Sequence, residues 1–101
     1  MQTNDYLTIE TKKLTIFLFK KSDCLEAHCY FNVSKNIKQN KFIKVTDTIS
    51  MTAKDLRRKP LFIMKVKKNS AYCEEYNINF CYLIHNVRII LLDLLKWKEY
   101  L

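Results

Sequence analysis

Two lysines on one face of a predicted strand are the residues best placed for chemistry in this sequence. The stretch Lys65-Val66-Lys67 projects two ammonium groups to one side of a strand and the valine side chain to the other. Such a pair can bind phosphate, and it can stabilise the charge of a phosphorane if a general base activates a 2′-hydroxyl group of RNA. The plainer interpretation is that both lysines solvate a sheet edge, where lysine opposes aggregation.

Positive charge is concentrated in one third of the chain. The formal net charge is +8 at pH 7, yet the segment from Lys35 to Lys68 alone carries eleven basic and two acidic residues, which gives +9. Charge confined to one segment predicts one basic surface for a polyanion, here nucleic acid, and a lysine-rich solvated face is the alternative. The residues of this segment predicted to contact nucleic acid are Lys41, Lys44, Lys54, Arg57, Arg58, Lys59 and Lys68.

Several classes of site are excluded by composition. Glycine is absent, and a P-loop or a dinucleotide fingerprint needs glycine where the backbone approaches phosphate. The four cysteines form no C-x-x-C pair, and their spacing matches no zinc framework even with His28 and His85 included. We therefore predict no metal and no cofactor, reduced thiols, and no catalytic role for the histidines or cysteines.

The chain length and its apolar runs predict one domain over residues 1–101. No apolar run is long enough for a transmembrane helix, and the first residues lack the pattern of a secretory signal. We therefore expect an intracellular protein without a membrane partner. Its many lysines, asparagines and isoleucines are typical of an AT-rich genome, so the compartment would be the cytoplasm or an organelle matrix.

Alternating apolar and polar residues predict a mainly β (α+β) fold, with an antiparallel sheet of about five or six strands and one or two short helices. Strands are predicted at residues 6–10 and 14–19, which pair as a hairpin, and at 42–45 and 61–67. Residues 24–33 alternate cleanly and favour a strand, although a helix capped by Ser22 or Asp23 also fits. One or two helical turns are predicted at 52–59 and a loop at 68–75.

The densest apolar content lies between Tyr76 and Leu101. Period-two alternation over residues 76–84, the pair His85-Asn86 and the apolar run 87–92 predict a strand, a turn and a returning strand. A rival interpretation makes residues 87–95 a helix, because their apolar residues also recur at helical spacing. In either case we expect the core to contain Phe17, Phe31, Phe80, Ile84, Ile90 and Leu91.

The C-terminal part of the chain resembles the C-terminal half of the RelE/ParE/HigB-type toxins. The residues that carry this resemblance are K-P-L at 59–61, I-M-K-V-K-K-N at 63–69, the stretch 76–95, and K-W-K-E-Y at 96–100. The resemblance implies an endoribonuclease acting on mRNA at the ribosome. Lys65 and Lys67 would then be strand lysines facing phosphate, Lys96 or Lys98 would be cations of the tail, and Tyr100 a stacking or proton-transfer residue. The first half of the chain departs from that family, because it reads as strands where the toxins have helices.

A shorter resemblance leads to a different class of function. Residues 14–28 are similar to the second strand and helix entry of ubiquitin-like domains, which would require a helix within residues 24–33. Three hypotheses therefore stay open. They are an RNA-targeting toxin, a non-catalytic RNA-binding or structural subunit of a large assembly such as an organellar ribosome, and a protein-interaction domain of ubiquitin-like, phage or viral type. The expected partners are nucleic acid, RNA rather than DNA, and beyond it the ribosome or an acidic protein.

Overall fold

Six strands make one antiparallel sheet in the computed structural model, which describes residues 5–32, 44–46 and 59–98, with side chains for 7–32 and 59–94. The strands are β1 (Asp5–Glu10), β2 (Leu14–Lys20), β3 (Leu25–Phe31), β4 (Lys44–Thr46), β5 (Phe62–Lys67) and β6 (Ser70–Tyr72). Their order across the sheet is β4-β1-β2-β3-β5-β6, and every neighbouring pair is antiparallel. The predicted mainly β fold with an antiparallel sheet is confirmed.

The first three strands form consecutive hairpins whose turns do without glycine. In the β1–β2 turn, the amide of Thr11 donates to the carbonyl oxygen of Leu14 at 2.8 Å, and the Thr11 hydroxyl oxygen accepts from the Leu14 amide at 3.0 Å. A threonine hydroxyl can replace part of a backbone turn in this way. The predicted pairing of the first two strands as a hairpin is therefore confirmed.

Asn32, just after β3, stabilises the β1–β2 turn from the strand next to β2. Its side-chain amide donates to the carbonyl oxygens of Thr11 at 2.9 Å and Lys12 at 3.0 Å, and its side-chain oxygen accepts from the Thr15 hydroxyl. The Asn32 backbone amide also donates to the carbonyl oxygen of Lys13, at 3.0 Å. One asparagine thus satisfies three consecutive carbonyl groups of a turn that is some twenty residues away in sequence.

The core lies on one face of the sheet. Alternate residues of β1, β2, β3 and β5 point to this face, as period-two patterning requires. Removing their apolar surface from water is the main source of stability, at roughly 25 cal/mol per Å². The strand residues buried in this core are Leu7, Ile9, Leu14, Ile16, Leu18, Leu25, Ala27, Cys29, Phe62, Met64, Val66 and Ala71.

A long helix, α1 (Cys81–Lys98), covers this core face. The strand-turn-strand predicted over residues 76–92 is therefore wrong, and the rival helical interpretation is confirmed. The buried residues Ile84, Val87 and Leu91 are spaced by three and four, which is a helical stripe. Ile78 and Tyr82, which a hairpin would bury, are 73% and 64% exposed.

Asn77 starts this helical segment. Its side-chain oxygen accepts from the amide of Asn79 at 2.9 Å, and a short 3-10 helix, Ile78–Phe80, leads directly into α1. An asparagine that satisfies a free amide in this position favours a helix start over a strand. Residues 81–98 contain neither glycine nor proline, so nothing interrupts the helix at His85-Asn86.

One hydrogen bond joins α1 to the edge of the sheet. The Nε atom of Arg88 donates to the carbonyl oxygen of Ala71 in β6, at 2.8 Å. The Ala71 side chain is buried in the core that α1 covers. Helix and edge strand are thus held together by an apolar and a polar contact.

The remaining expectations about secondary structure have mixed outcomes. The strand interpretation of 24–33 is confirmed by β3 and that of 61–67 by β5, whereas the short strand expected at 42–45 forms at Lys44–Thr46. The loop expected at 68–75 is wrong in part, because Lys68 and Asn69 turn the chain back into β6. Lys68 has a φ of 50°, which is uncommon for a lysine. Because lysine is not a typical residue for such a turn, nothing in the sequence indicated it. The helical turns expected at 52–59 lie outside the described residues.

The expected core residues are confirmed in part. Ile84 and Leu91 are buried, and the side chains of Phe17, Phe80 and Ile90 are half-buried. Phe31 is 48% exposed, so its expected burial is wrong. It ends β3 at the margin of the core, where its ring packs edge-to-face on Phe80 with centroids 6.3 Å apart.

Candidate nucleic-acid interface

Lys65 and Lys67 lie on one face of β5, as the alternation predicts. Met64 and Val66 are fully buried on the core side, so the two lysines occupy the face turned away from α1. β5 is an inner strand between β3 and β6, and Lys65 stands opposite Glu26 in one neighbour and Tyr72 in the other. The backbone that carries both lysines is therefore fixed on each side.

Each of these lysines has a carboxylate partner. The Nζ atom of Lys65 is 3.1 Å from Glu74 Oε1, and the Nζ atom of Lys67 is 3.5 Å from Asp23 Oδ2. The hydrogen bond to Glu74 raises the pKa of Lys65 further above neutrality, which favours the ammonium form. Lys65 is thus suited to bind an anion, and it is unsuited to act as a general base.

A groove of about 730 Å³ lies beside these residues on the same side of β5. Among the described residues, its charged side chains are two lysines and three glutamates, namely Lys59, Lys65, Glu26, Glu74 and Glu75. A cradle for phosphate would instead be lined by cations and amides. The groove by itself therefore has mixed electrostatic character.

The other predicted contacts are spread over the molecule. Lys59 is exposed just before β5, and Lys68 is exposed in the turn after it. The backbone of Lys44 lies in β4 at the opposite edge of the sheet, and Lys96 and Lys98 belong to the last turn of α1. Lys41, Lys54, Arg57, Arg58 and Tyr100 lie outside the described residues. Lys65 and Lys67 thus share one face of β5, with Lys59 before the strand and Lys68 after it, whereas Lys44 lies at the opposite edge of the sheet.

Sequence reasoning missed the acidic residues near the two lysines, which are Glu26 and Glu74 as well as the Asp23 described above. Glu26 stands opposite Lys65 because β3 is the neighbour of β5, and this pairing depends on the strand order. Glu74 reaches Lys65 because the unexpected strand β6 turns the chain back. The Nε2 atom of His28 lies 3.1 Å from Glu26 Oε1, and its ring packs edge-on against Phe19. Glu26 is therefore positioned by contacts within the sheet.

The thiol groups differ in accessibility. Burial raises the pKa of the Cys24, Cys29 and Cys73 thiols, with the carboxylate of Asp23 adding to the effect at Cys24. Cys81, at the start of α1, is exposed. In the described part of the chain, no group of three histidine, cysteine or acidic side chains is placed to hold a metal ion, and no helix is long and apolar enough to cross a membrane.

Alkylation should therefore be selective for Cys81. The thiolate is the reacting form, and both burial and a raised pKa reduce its supply at the other three positions. We expect iodoacetamide near pH 8 to modify Cys81 at least about tenfold faster than Cys29, as followed by peptide mass spectrometry. Cys81→Ser should abolish the fast phase, and fast native-state labelling of Cys29 would contradict the assigned burial.

No family model, no curated protein and no solved structure matches this chain.

Proposed function

We propose that the protein is a non-catalytic polyanion-binding domain whose ligand is RNA. The observation that carries this proposal is the charge of +9 between Lys35 and Lys68, in a chain whose remaining residues sum to −1. Phosphate contacts supply most of the affinity of non-specific nucleic-acid binding, and they require cations gathered on one part of a protein. The choice of RNA over DNA comes from the resemblance to ribosome-directed toxins.

The ion pairs around β5 favour binding over cleavage. Lys65 and Lys67 lie on a fixed strand, but each contacts a carboxylate, so the two ammonium groups are not preorganised for the charge of a developing phosphorane. The partner carboxylates Glu74 and Asp23 are largely exposed, and pairs of this kind are weak. RNA phosphates could therefore displace them on binding without a large loss of stability.

The placement of the cations suggests an extended ligand. Lys44 in β4 is separated from Lys59 and β5 by the width of β1, β2 and β3. At about 4.8 Å per strand, four steps across the sheet amount to roughly 19 Å. A ligand that contacts both ends of the basic segment must span several nucleotides, as an extended single strand does.

The salt dependence of RNA binding tests this proposal. Bound phosphates release counterions, so log K for a labelled single-stranded RNA should fall linearly with log KCl concentration, by about 0.7 per neutralised phosphate. Fluorescence anisotropy between about 50 and 200 mM KCl measures the slope. The variant Arg57→Ala/Arg58→Ala/Lys59→Ala should make it less steep by about 2.

A matched variant distinguishes the effect of the basic segment on RNA binding from the effect of the protein's net charge. Lys12→Ala/Lys20→Ala/Lys21→Ala removes the same charge at exposed positions outside residues 35–68, and should leave the slope nearly unchanged. Equal losses in both variants would mean that net charge alone attracts RNA. A wild-type protein that does not bind RNA, or that binds it without salt dependence, would overturn the proposal.

A ribonuclease is the second candidate, favoured by the position of Lys65 and Lys67 side by side on an inner strand. Its activity would need both lysines together with Tyr100. The test is mRNA cleavage in a translating extract by the wild type and by Lys65→Ala/Lys67→Ala. A loss of one electrostatic donor typically costs about 10²–10³ in rate. Equal cleavage by the two proteins, or none by the wild type, removes this candidate.

A further inference from the structure

A second concave surface lies on the other side of the sheet, between the β1–β2 turn and the N-terminal half of α1. This groove has a volume of about 380 Å³. Its walls come from the turn residues Lys12 and Lys13 on one side and from Tyr82, Val87 and Ile89 of α1 on the other. None of its lining residues belongs to the groove beside β5 or to the residues proposed to bind RNA.

The helical wall of this groove carries large apolar side chains that water reaches. Tyr82 is 64% exposed and Ile89 is 54% exposed, although both belong to α1, whose buried stripe packs on the sheet. Exposed apolar side chains that line a groove, unlike isolated ones, are typical of interaction surfaces.

The turn side of the groove carries positive charge. Lys12 and Lys13 are exposed, and the Nζ atom of Lys13 lies 5.8 Å from the ring centroid of Tyr82. This cation–π contact holds one ammonium group directly over the apolar wall. Among the described residues that line the groove there is no carboxylate, in contrast to the groove beside β5.

We propose that this groove binds an acidic amphipathic segment of a partner protein, through apolar anchors on Tyr82 and Ile89 and carboxylates beside Lys12 and Lys13. A helix places apolar residues at intervals of three and four and can carry acidic residues along one flank of that stripe. The apolar wall and the cationic lip of the groove are complementary to those two features.

A second copy of this chain and a nucleic-acid strand are less suitable ligands for the groove. A second copy of this chain would bring a further net charge of +8 to the groove, and such copies repel each other. A nucleic-acid strand would find two lysines beside the exposed aliphatic side chain of Ile89. An acidic peptide with apolar side chains satisfies both parts of the surface at once.

A displayed library of random peptides of about sixteen residues, selected on the wild-type protein, tests this proposal. We expect enriched peptides to combine large apolar residues at helical spacing with aspartate or glutamate. The best of them, made synthetically, should bind at least about tenfold more weakly to Ile89→Asp. Lys12→Glu/Lys13→Glu should likewise weaken binding, and should select basic peptides when used as bait. Both variants change exposed residues, and circular dichroism checks that they remain folded.

Three results would overturn the proposal. One is a selection without an acidic, apolar consensus, or with peptides that bind both variants as well as the wild type. Another is a wild-type dimer in sedimentation that Ile89→Asp dissociates, because the groove would then hold a second copy. The last is competition between RNA and the selected peptide. The RNA-binding variant Arg57→Ala/Arg58→Ala/Lys59→Ala should bind the peptide normally, so this test is independent of the proposed function.

Discussion

Leu91→Ala should lower the free energy of unfolding by about 2–5 kcal/mol. The Leu91 side chain is fully buried in the stripe of α1 that packs on the sheet, and truncation loses its burial and leaves a cavity. Domains of this size have a free energy of unfolding of about 5–15 kcal/mol, so this one substitution removes a large part of it. Urea unfolding followed by circular dichroism measures the change as a lower midpoint at an unchanged slope.

Ile89→Ala is the matched control for this prediction. In a strand, Ile89 and Leu91 would share one face and both truncations would cost about the same. In α1 they lie on different sides, and Ile89 is 54% exposed, so its truncation should change stability by no more than about 0.5 kcal/mol. Similar losses for the two variants would contradict the helix and restore the hairpin interpretation.

Asn32→Asp should destabilise the protein by about 2 kcal/mol although it replaces one atom. The side-chain amide of Asn32 donates to the carbonyl oxygens of Thr11 and Lys12. A carboxylate cannot donate, and it places negative charge against two carbonyl oxygens that lose their partner. The same urea experiment gives the measurement.

Asn69→Asp makes the same chemical change at an exposed position of the β5–β6 turn. It introduces the same charge without removing a hydrogen bond of the β1–β2 turn, and we expect the free energy of unfolding to change by no more than about 0.5 kcal/mol. If the two aspartate variants were equally stable, Asn32 would not fasten the β1–β2 turn. If both lost about 2 kcal/mol, the added charge would explain the loss.

The strands of the first half could be predicted because their patterning and their burial agree. In β2 and β3 the alternate apolar residues from Leu14 to Leu18 and from Leu25 to Cys29 are core residues, and short turns separate the segments. The segment 76–84 alternates equally well, but its alternation has no structural counterpart, because Ile78 and Tyr82 face solvent. The apolar residues of this stretch fit both the two-residue period of a strand and the 3.6-residue period of a helix. The packing of Ile84, Val87 and Leu91 on the sheet stabilises the helix.

The candidate site was harder to predict than the fold. The common face of Lys65 and Lys67 follows from local alternation, which a sequence displays. Their pairing with Glu74 and Asp23 depends on which strands and turns become neighbours, and a residue pattern does not encode that. The same holds for the groove near Tyr82, whose two walls come from segments about seventy residues apart.

The contact between Arg88 and Ala71 bears on how the protein behaves at high concentration. β6 is an edge strand, and an edge strand offers free backbone groups to which the strand of another molecule can add. Arg88 occupies the carbonyl oxygen of Ala71, at the middle residue of this three-residue strand, and its guanidinium places a positive charge at that edge. A strand of another molecule would have to displace the Arg88 guanidinium before it could pair with β6. Arg88 therefore opposes aggregation through this edge of the sheet.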